Sequence, residues 1–246
     1  MNELMSELRL FGMRESLDYR ISEAAQANLS HQDFLTFLLE DESLHRKNKR
    51  SERLRKRARF NDQALLENFE TDSVRGVTKT LIKEFSSLKF LNEKQNIILT
   101  GGTGAGKSFL AQAIGHHTCI NGYETFFIHS NKLFKEVQAH EVAGNYLNYL
   151  QKIKRASLLI IDDLGLRNYT HEEANTLFDI LEDRYKKSST IVTSQVKPEG
   201  WKTLFEDPVI AEAIVDRLSS CAHTVHIKGP TWRKKHLPKN KQNSKN

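Results

Sequence analysis

Residues 96–108, with the sequence NIILTGGTGAGKS, decide the fold. The apolar run from Asn96 to Thr100 predicts a buried strand, and the run from Phe109 to Ile114 predicts a helix. Between these runs, the pattern G-x-x-x-x-G-K-[ST] is matched at every position by Gly101, Gly102, Thr103, Gly104, Ala105, Gly106, Lys107 and Ser108. A strand, a glycine-rich loop and a helix in this order predict a phosphate-binding loop.

The chemistry of this loop follows from its backbone. Several N–H groups and the positive end of the helix dipole point at one spot, where a polyphosphate can be held. We expect Lys107 to reach the β- and γ-phosphates of ATP and the Ser108 hydroxyl to bind Mg²⁺. The alternative, a glycine-rich turn without a ligand, does not account for the flanking strand and helix.

A second signature is the run Leu158-Leu159-Ile160-Ile161-Asp162-Asp163. Four large apolar residues in succession are typical of a central strand of a parallel sheet, which is buried on both faces. Ligands of such sheets bind at the carboxyl ends of the strands. We therefore expect Asp162 to hold Mg²⁺ and Asp163 to orient or deprotonate the attacking water. The alternative is that the two acids only begin a turn.

Three further strands are predicted, at 124–129, 190–192 and 224–227. The polar residues Thr193-Ser194-Gln195 follow one of them and either sense the γ-phosphate or cap the next segment. Asp207-Pro208 begins a helix that carries Arg217. Strands alternating with helices predict an α/β fold with a parallel sheet.

Residues 1–70 contain no strand-like alternation and predict an all-helical region. Its later part is strongly basic and contains Arg46, Lys47, Lys49, Arg50, Arg53, Arg55, Lys56, Arg57 and Arg59. Charges on all sides of one helix repel each other, so an anionic partner is favoured. We interpret the run as contacting nucleic-acid phosphates. A solvated helix face and an acidic protein partner are the alternatives.

Composition sets broad limits on function. The chain has 246 residues, a formal net charge of +6 and 28% charged residues, which is typical of a soluble globular protein with a polyanionic partner. No run is long enough to predict a membrane span, and the start MNELMSELRL has no apolar core of a secretion signal. Two cysteines without a C-x-x-C pair favour a reducing cytoplasm.

The motifs together resemble those of IstB-like AAA+ ATPases, the helper proteins of two-gene insertion sequences and kin of DnaC-type helicase loaders. The resemblance extends over nearly the whole chain. It is carried by DFLTFLLEDE, RSERLRKRARF, GGTGAGKSFLA, LLIIDDLG, STIVTSQ, DPVIAEAIVDRL and AHTVHIKGPTWRKK.

The resemblance implies a P-loop AAA+ core with parallel strand order 5-1-4-3-2 and a helical N-terminal domain. It also implies ATP hydrolysis with Mg²⁺, assembly of a ring or filament on duplex DNA, and contact with a partner transposase. Lys107 and Ser108 match the Walker A pair, and Asp162 and Asp163 match the Walker B pair. Gln195 falls at sensor I. The chain departs from the family pattern at 219–220 and 230–232, so the resemblance leaves open whether Arg233 acts as sensor II.

For Arg217 the resemblance implies an arginine finger, which places a cation on the γ-phosphate of a neighbouring subunit. Without the resemblance, a charge that stabilises the C-terminal end of its helix would be the simpler interpretation.

We expect three parts: a helical DNA- and partner-binding domain at 1–70, an ATPase domain at 71–235 and a basic, disordered tail at 236–246. The predicted function is an ATP-dependent transposition helper that works on duplex DNA. The alternatives are a replicative helicase loader, which would use single-stranded DNA, and a nucleotide-binding scaffold that barely hydrolyses ATP.

Overall fold

A computed structural model describes residues 1–71 and 73–229. At its centre lies one sheet of five parallel strands, in the order β2-β3-β4-β1-β5. This is the predicted order 5-1-4-3-2, given from the other edge. The strands are β1 (Asn96–Gly101), β2 (Thr125–His129), β3 (Leu158–Leu164), β4 (Ser189–Ser194) and β5 (Ala222–Ile227).

Helices precede the sheet and alternate with its strands. Before β1 come α1 (Asn2–Glu7), α2 (Phe11–Ala27), α3 (His31–Ala58), α4 (Lys79–Ser86) and α5 (Lys89–Asn92). The later helices are α6 (Lys107–Ile120), α7 (Ser130–Val142), α8 (Tyr146–Arg155), α9 (His171–Arg184) and α10 (Pro208–Ser219). Short 3-10 helices span Leu66–Asn68 and Pro198–Leu204.

The sheet contains continuous apolar runs, and both of its faces are buried, as the sequence predicts. On β3, Leu158 and Ile160 pack with α4, α5 and α6, whereas Leu159 and Ile161 pack with α7, α8, α9 and α10. The two faces of the sheet thus hold two layers of core, and β3, an interior strand of the sheet, is fixed between them. This packing on both faces fixes the position of the carboxyl end of β3.

The segment after the basic helix, residues 60–70, packs against the core. Ala64, Leu66 and Phe69 are buried, and Phe60 packs against the same side of the core. These apolar side chains are too widely spaced to show a period, which is why their burial was not predicted. The helical region therefore joins the core through a packed segment, and the division at residue 70 stays a prediction.

The basic helix α3 does not have charged side chains on all of its sides, although its sequence was interpreted in that way. It packs against α6 and β2, and Ala58 near its end is fully buried. All nine basic residues of the predicted run are nevertheless exposed. Since one side faces the core, the charges gather on the remaining surface.

In the described part of the chain, no helix combines the length and the apolar character needed to cross a membrane. The predicted tail at 236–246 lies outside the described residues.

Candidate nucleotide site

The phosphate-binding loop leaves β1 at Gly101 and enters α6 at Lys107. Gly101 has φ of +148°, and a Cβ there would lie 2.2 Å from the carbonyl oxygen of Ile227. Gly106 has φ of +100°, a conformation that residues with side chains rarely adopt. Both glycines are required by the backbone path, so the loop can curl in front of the helix N-terminus.

Lys107 is buried, and its Nζ donates to the carbonyl oxygens of Gly101 and Gly102, each at 3.0 Å. These bonds hold the ammonium group against the loop. Lys107, Ser108, Asp163 and Gln195 line one cavity of about 280 Å³, together with Asp62, Thr103, Gly104, Gly106 and Phe109. The structure therefore brings most of the predicted site residues together.

Asp162 ends the apolar run of β3 with its side chain almost fully buried. The Thr193 hydroxyl donates to Asp162 Oδ1 at 2.6 Å, and His129 Nδ1 lies 3.2 Å from Oδ2. The carboxylate is therefore held from two neighbouring strands. Thr193, which the sequence offered as a sensor of phosphate, instead orients this carboxylate.

Asp163 lies at an irregularity of the sheet. The register between β3 and β4 shifts between Ile161 and Leu164, and Asp163 has φ of 57°. Its N–H donates to Thr193 Oγ1 at 2.9 Å, and its carbonyl accepts from Ser130 Oγ at 2.8 Å. The shift turns Asp163 so that one ligand atom each from Asp162, Asp163 and His129 lie within 4.8 Å of one another.

This arrangement suits a divalent cation bound with phosphate. Within residues 1–71 and 73–229, it is the one group of three acidic, His or Cys side chains able to hold a metal. A buried carboxylate and the Ser108 hydroxyl supply oxygen donors, which Mg²⁺ prefers. The residues therefore fit the predicted ion, with Ser108 and Asp162 as the groups that would hold it.

Gln195 follows β4 and is tied to the loop, because Thr103 Oγ1 donates to its Oε1 at 2.9 Å. Ser194 faces away from the cavity: its hydroxyl donates to the carbonyl of Leu164, and Trp201 donates to it. Of the three polar residues at this strand end, Gln195 is thus the one that lines the cavity.

Arg217 is not part of this cluster. Asn96, at the start of β1, donates to the backbone carbonyls of Arg217 and Leu218, whereas the loop begins at the other end of that strand. The guanidinium group pairs with Glu182 and Asp216 and lies 4.7 Å from the centre of the Tyr185 ring. Within one chain, Arg217 therefore lies near the amino-terminal end of β1, whereas the cavity lies at the carboxyl end of that strand. Arg233 lies outside the described residues.

Sequence reasoning missed Asp62 and Phe109, which line the cavity, and two further residues that hold the site in place. His129 ends β2 as Asp162 ends its run on β3, and the same signal, a polar residue at a strand end, would have found it. Arg75 donates to the carbonyls of Ala105 at 2.9 Å and Lys228 at 3.1 Å, which braces the loop against the chain after β5. No local pattern marks Arg75.

Five of the predicted DNA contacts bind parts of this chain. Arg46 pairs with Glu42, and both Lys49 and Lys56 pair with Glu52. Arg50 donates to the carbonyl of Gly122, and Arg59 pairs with Glu136. Burial alone would raise the pKa of Glu136, but hydrogen bonds from Tyr149 and Arg59 outweigh it and lower that pKa. The end of α3 is therefore anchored to α7.

Comparisons with known proteins identify the family. The sequence model described as IstB-like ATP binding protein matches residues 3–240. The chain belongs to this family. It is 31% identical over 232 residues to the ATP-binding protein of insertion sequence IS21 from Pseudomonas aeruginosa, covering 94% of this chain and 88% of that protein. It is 30% identical over 235 residues to the insertion-sequence ATP-binding protein y4uH of Sinorhizobium fredii, covering 96% and 95%.

Solved structures show the same core fold. AMPPCP-bound DnaA from Aquifex aeolicus has a TM-score of 0.58 at 22% identity, and the match covers 69% of this chain and 51% of DnaA. The DnaC helicase loader has a TM-score of 0.54 at 19% identity, covering 67% and 97%. The chain is therefore a member of the IstB-like ATP binding protein family, with a core that has the fold of the DnaC helicase loader.

Proposed function

We propose that the chain is a Mg²⁺-dependent ATPase that assembles on duplex DNA and presents it to a partner transposase. The observation that carries this proposal is the cavity in which Lys107, Ser108, Asp163 and Gln195 meet, with Asp162 held behind them. Membership of a family of insertion-sequence ATP-binding proteins supports it.

Each predicted site residue that lines the cavity has a role in hydrolysis. The loop backbone from Gly101 to Gly106 binds the phosphates, and Lys107 moves from the loop carbonyls to the β- and γ-phosphates. Ser108 and Asp162 would hold Mg²⁺, which would neutralise negative charge on the phosphates. Asp163 accepts a proton from the attacking water, and Gln195 contacts the γ-phosphate.

Arg217 completes the site from a second copy of the chain. Phosphoryl transfer gains from a further cation on the γ-phosphate, and Arg217 lies too far from its own cavity to provide one. A homo-oligomer in which one protomer's α10 meets its partner's loop would supply it. In this proposal a ring or filament forms when ATP bridges the subunits.

Residues 1–70 supply the contact with duplex DNA and with the transposase, and residues 71–235 form the ATPase. The exposed charges of α3 suit contacts with a row of DNA phosphates. Such contacts do not depend on the base sequence of the DNA. Of the nine basic residues, Arg53, Arg55 and Arg57 are exposed and have no ion pair or hydrogen bond among those described, so they remain available. The anchored Arg50 and Arg59 instead fix where the helix lies.

The experiment replaces Arg53, Arg55, Lys56 and Arg57 with Gln and measures binding of fluorescent duplexes of unrelated sequence by anisotropy. We expect affinity to fall alike for all duplexes, with the salt slope reduced by about 0.9 for each phosphate that the variant no longer neutralises. The matched control replaces Lys79, Lys83, Lys89 and Lys94, on and beside α4 and α5, with Gln. Unchanged affinity of the α3 variant would show that these charges are only solvated.

A replicative helicase loader is the second candidate, because the DnaC helicase loader shares the fold. It predicts preference for single-stranded DNA and stable capture of a hexameric helicase. Duplex preference in the same binding assay favours the first proposal. ATP binding without release of phosphate, even with DNA, would instead indicate a scaffold.

A further inference from the structure

His129 occupies the last position of β2, directly beside Asp162 in the sheet register. Its Nδ1 lies 3.2 Å from Asp162 Oδ2, while Oδ1 accepts the hydrogen bond from Thr193. Both oxygens of the buried carboxylate are thus contacted, one from each neighbouring strand. Of these two partners, His129 has a second ring nitrogen, Nε2, which contacts a residue outside the sheet.

The residue that Nε2 contacts is Asn61. The distance from Asn61 Nδ2 to His129 Nε2 is 2.8 Å. An amide NH₂ group can only donate, so Nε2 accepts and the ring proton of His129 resides on Nδ1. The N–H of the imidazole therefore faces Asp162, and Asn61 sets this tautomer.

Asn61 is itself held in place. Its backbone N–H donates to Gln112 Oε1 at 2.8 Å, and the N–H of Asp62 donates to the same oxygen at 3.1 Å. Two residues earlier, Arg59 pairs with Glu136. A single side chain of α6 thus fixes the turn that carries Asn61, close to the phosphate-binding loop from which α6 starts.

We infer that His129, oriented by Asn61, is a positioning residue that holds Asp162 ready for the divalent cation. This inference rests on the proposed role of Asp162 in Mg²⁺ binding. Carboxylates that bind metals are themselves hydrogen-bonded by surrounding groups, and loss of such a partner weakens metal affinity about 10- to 100-fold. Direct ligation of Mg²⁺ by the ring is disfavoured, since Mg²⁺ takes oxygen donors.

The test measures Mn²⁺ affinity by electron paramagnetic resonance, with the full chain saturated with the non-hydrolysable analogue AMPPCP. His129→Ala should bind Mn²⁺ about 10- to 100-fold more weakly than the unchanged protein. His129→Asn should stay within about threefold, because its amide nitrogen can take the place of Nδ1 and donate to Asp162. AMPPCP affinity in EDTA should be the same for all three.

His171→Ala is the matched control, because His171 is exposed at the start of α9. Asn61→Ala is the second variant, since Asn61 is exposed and lies outside the sheet; it should weaken Mn²⁺ binding by more than about threefold even if His129→Ala fails to fold. Wild-type Mn²⁺ affinity in His129→Ala, or equal weakening in His129→Asn and His129→Ala, would overturn the inference. Failure of the unchanged protein to bind Mn²⁺ with AMPPCP would contradict the proposed function instead.

Discussion

For a single residue, Asp163, the backbone conformation determines where the carboxylate points and therefore which chemistry it can take part in. Successive side chains of a regular strand point to opposite faces, so Asp162 and Asp163 would diverge. The register shift after Ile161 and the left-handed conformation of Asp163 turn both carboxylates toward the same site. Asp tolerates this conformation better than most residues, which fits its place here.

Asp163→Asn should retain ATP binding and lower turnover about 10²- to 10⁴-fold, because the amide cannot accept a proton from water. Asn also tolerates the left-handed conformation, so the local fold is kept. Phosphate release and equilibrium binding of a fluorescent ATP analogue measure the two effects. Lys107→Ala is the comparison and should lose binding; normal hydrolysis by Asp163→Asn would identify a different base.

Single residues of the site were predictable to different degrees. The loop from Gly101 to Ser108 and the two acids follow from local patterns whose spacing the chemistry requires. The convergence of Asp162 with Asp163 depends on a register shift, and the pairing of His129 with Asn61 depends on two distant segments meeting. Such contacts are made by tertiary packing, which no local period encodes.

At the scale of elements, the packed segment after α3 joins the basic helix to α6. His116 of α6 contacts the carbonyl of Asp62 through Nε2 at 2.8 Å, and its ring lies 4.1 Å from that of Phe60. Burial lowers the pKa of His116 below its ordinary value of 6.5, and the positive charge of Arg55 adds to this, although the hydrogen bond to Asp62 opposes it. The folded chain thus favours the neutral ring.

This joint predicts a pH effect on stability. As pH falls below about 6.5, the unfolded chain takes up a proton on His116 before the folded chain does, so the free energy of unfolding decreases. His116→Gln keeps a donor toward Asp62 but cannot titrate, and should show a smaller loss of stability between about pH 7.5 and 5.5. Urea unfolding at both pH values measures this; equal losses in the two proteins would exclude His116 as a source.

The sequence predicted the strands and helices more completely than the contacts between them. All five strands follow from apolar runs, and the helix that begins at Asp207-Pro208 is present as predicted. The burial of Leu66 and Phe69 was missed, because each lies in a short mixed segment without helical or strand period. The face of α3 that meets α6 was missed for a related reason, since the basic run from Arg46 to Arg59 contains few apolar residues from which a helical period could be predicted.

At the scale of the whole molecule, the separation of Arg217 from the cavity predicts that two copies share one site. Lys107→Ala and Arg217→Ala should each hydrolyse little ATP alone. Mixed in equal amounts, they should recover part of the activity, because a Lys107-intact cavity can meet an intact Arg217 of the other variant. Phosphate release with duplex DNA measures this.

The Arg217→Ala monomer should bind ATP normally, which separates this role from support of the fold. Arg217 also pairs with Glu182, so Glu182→Gln is the control for removal of that ion pair. Absence of any recovery in the mixture, with both variants folded and Arg217→Ala able to bind ATP, would argue against a shared site.

The most direct measurement is the mass of the complexes that the full chain forms on a duplex DNA fragment, by mass photometry with Mg²⁺ and either ATP or ADP. With ATP, we expect DNA-bound assemblies of many subunits, which give way to small species with ADP. A chain that stays monomeric and does not bind the duplex with saturating ATP and Mg²⁺ would contradict the account.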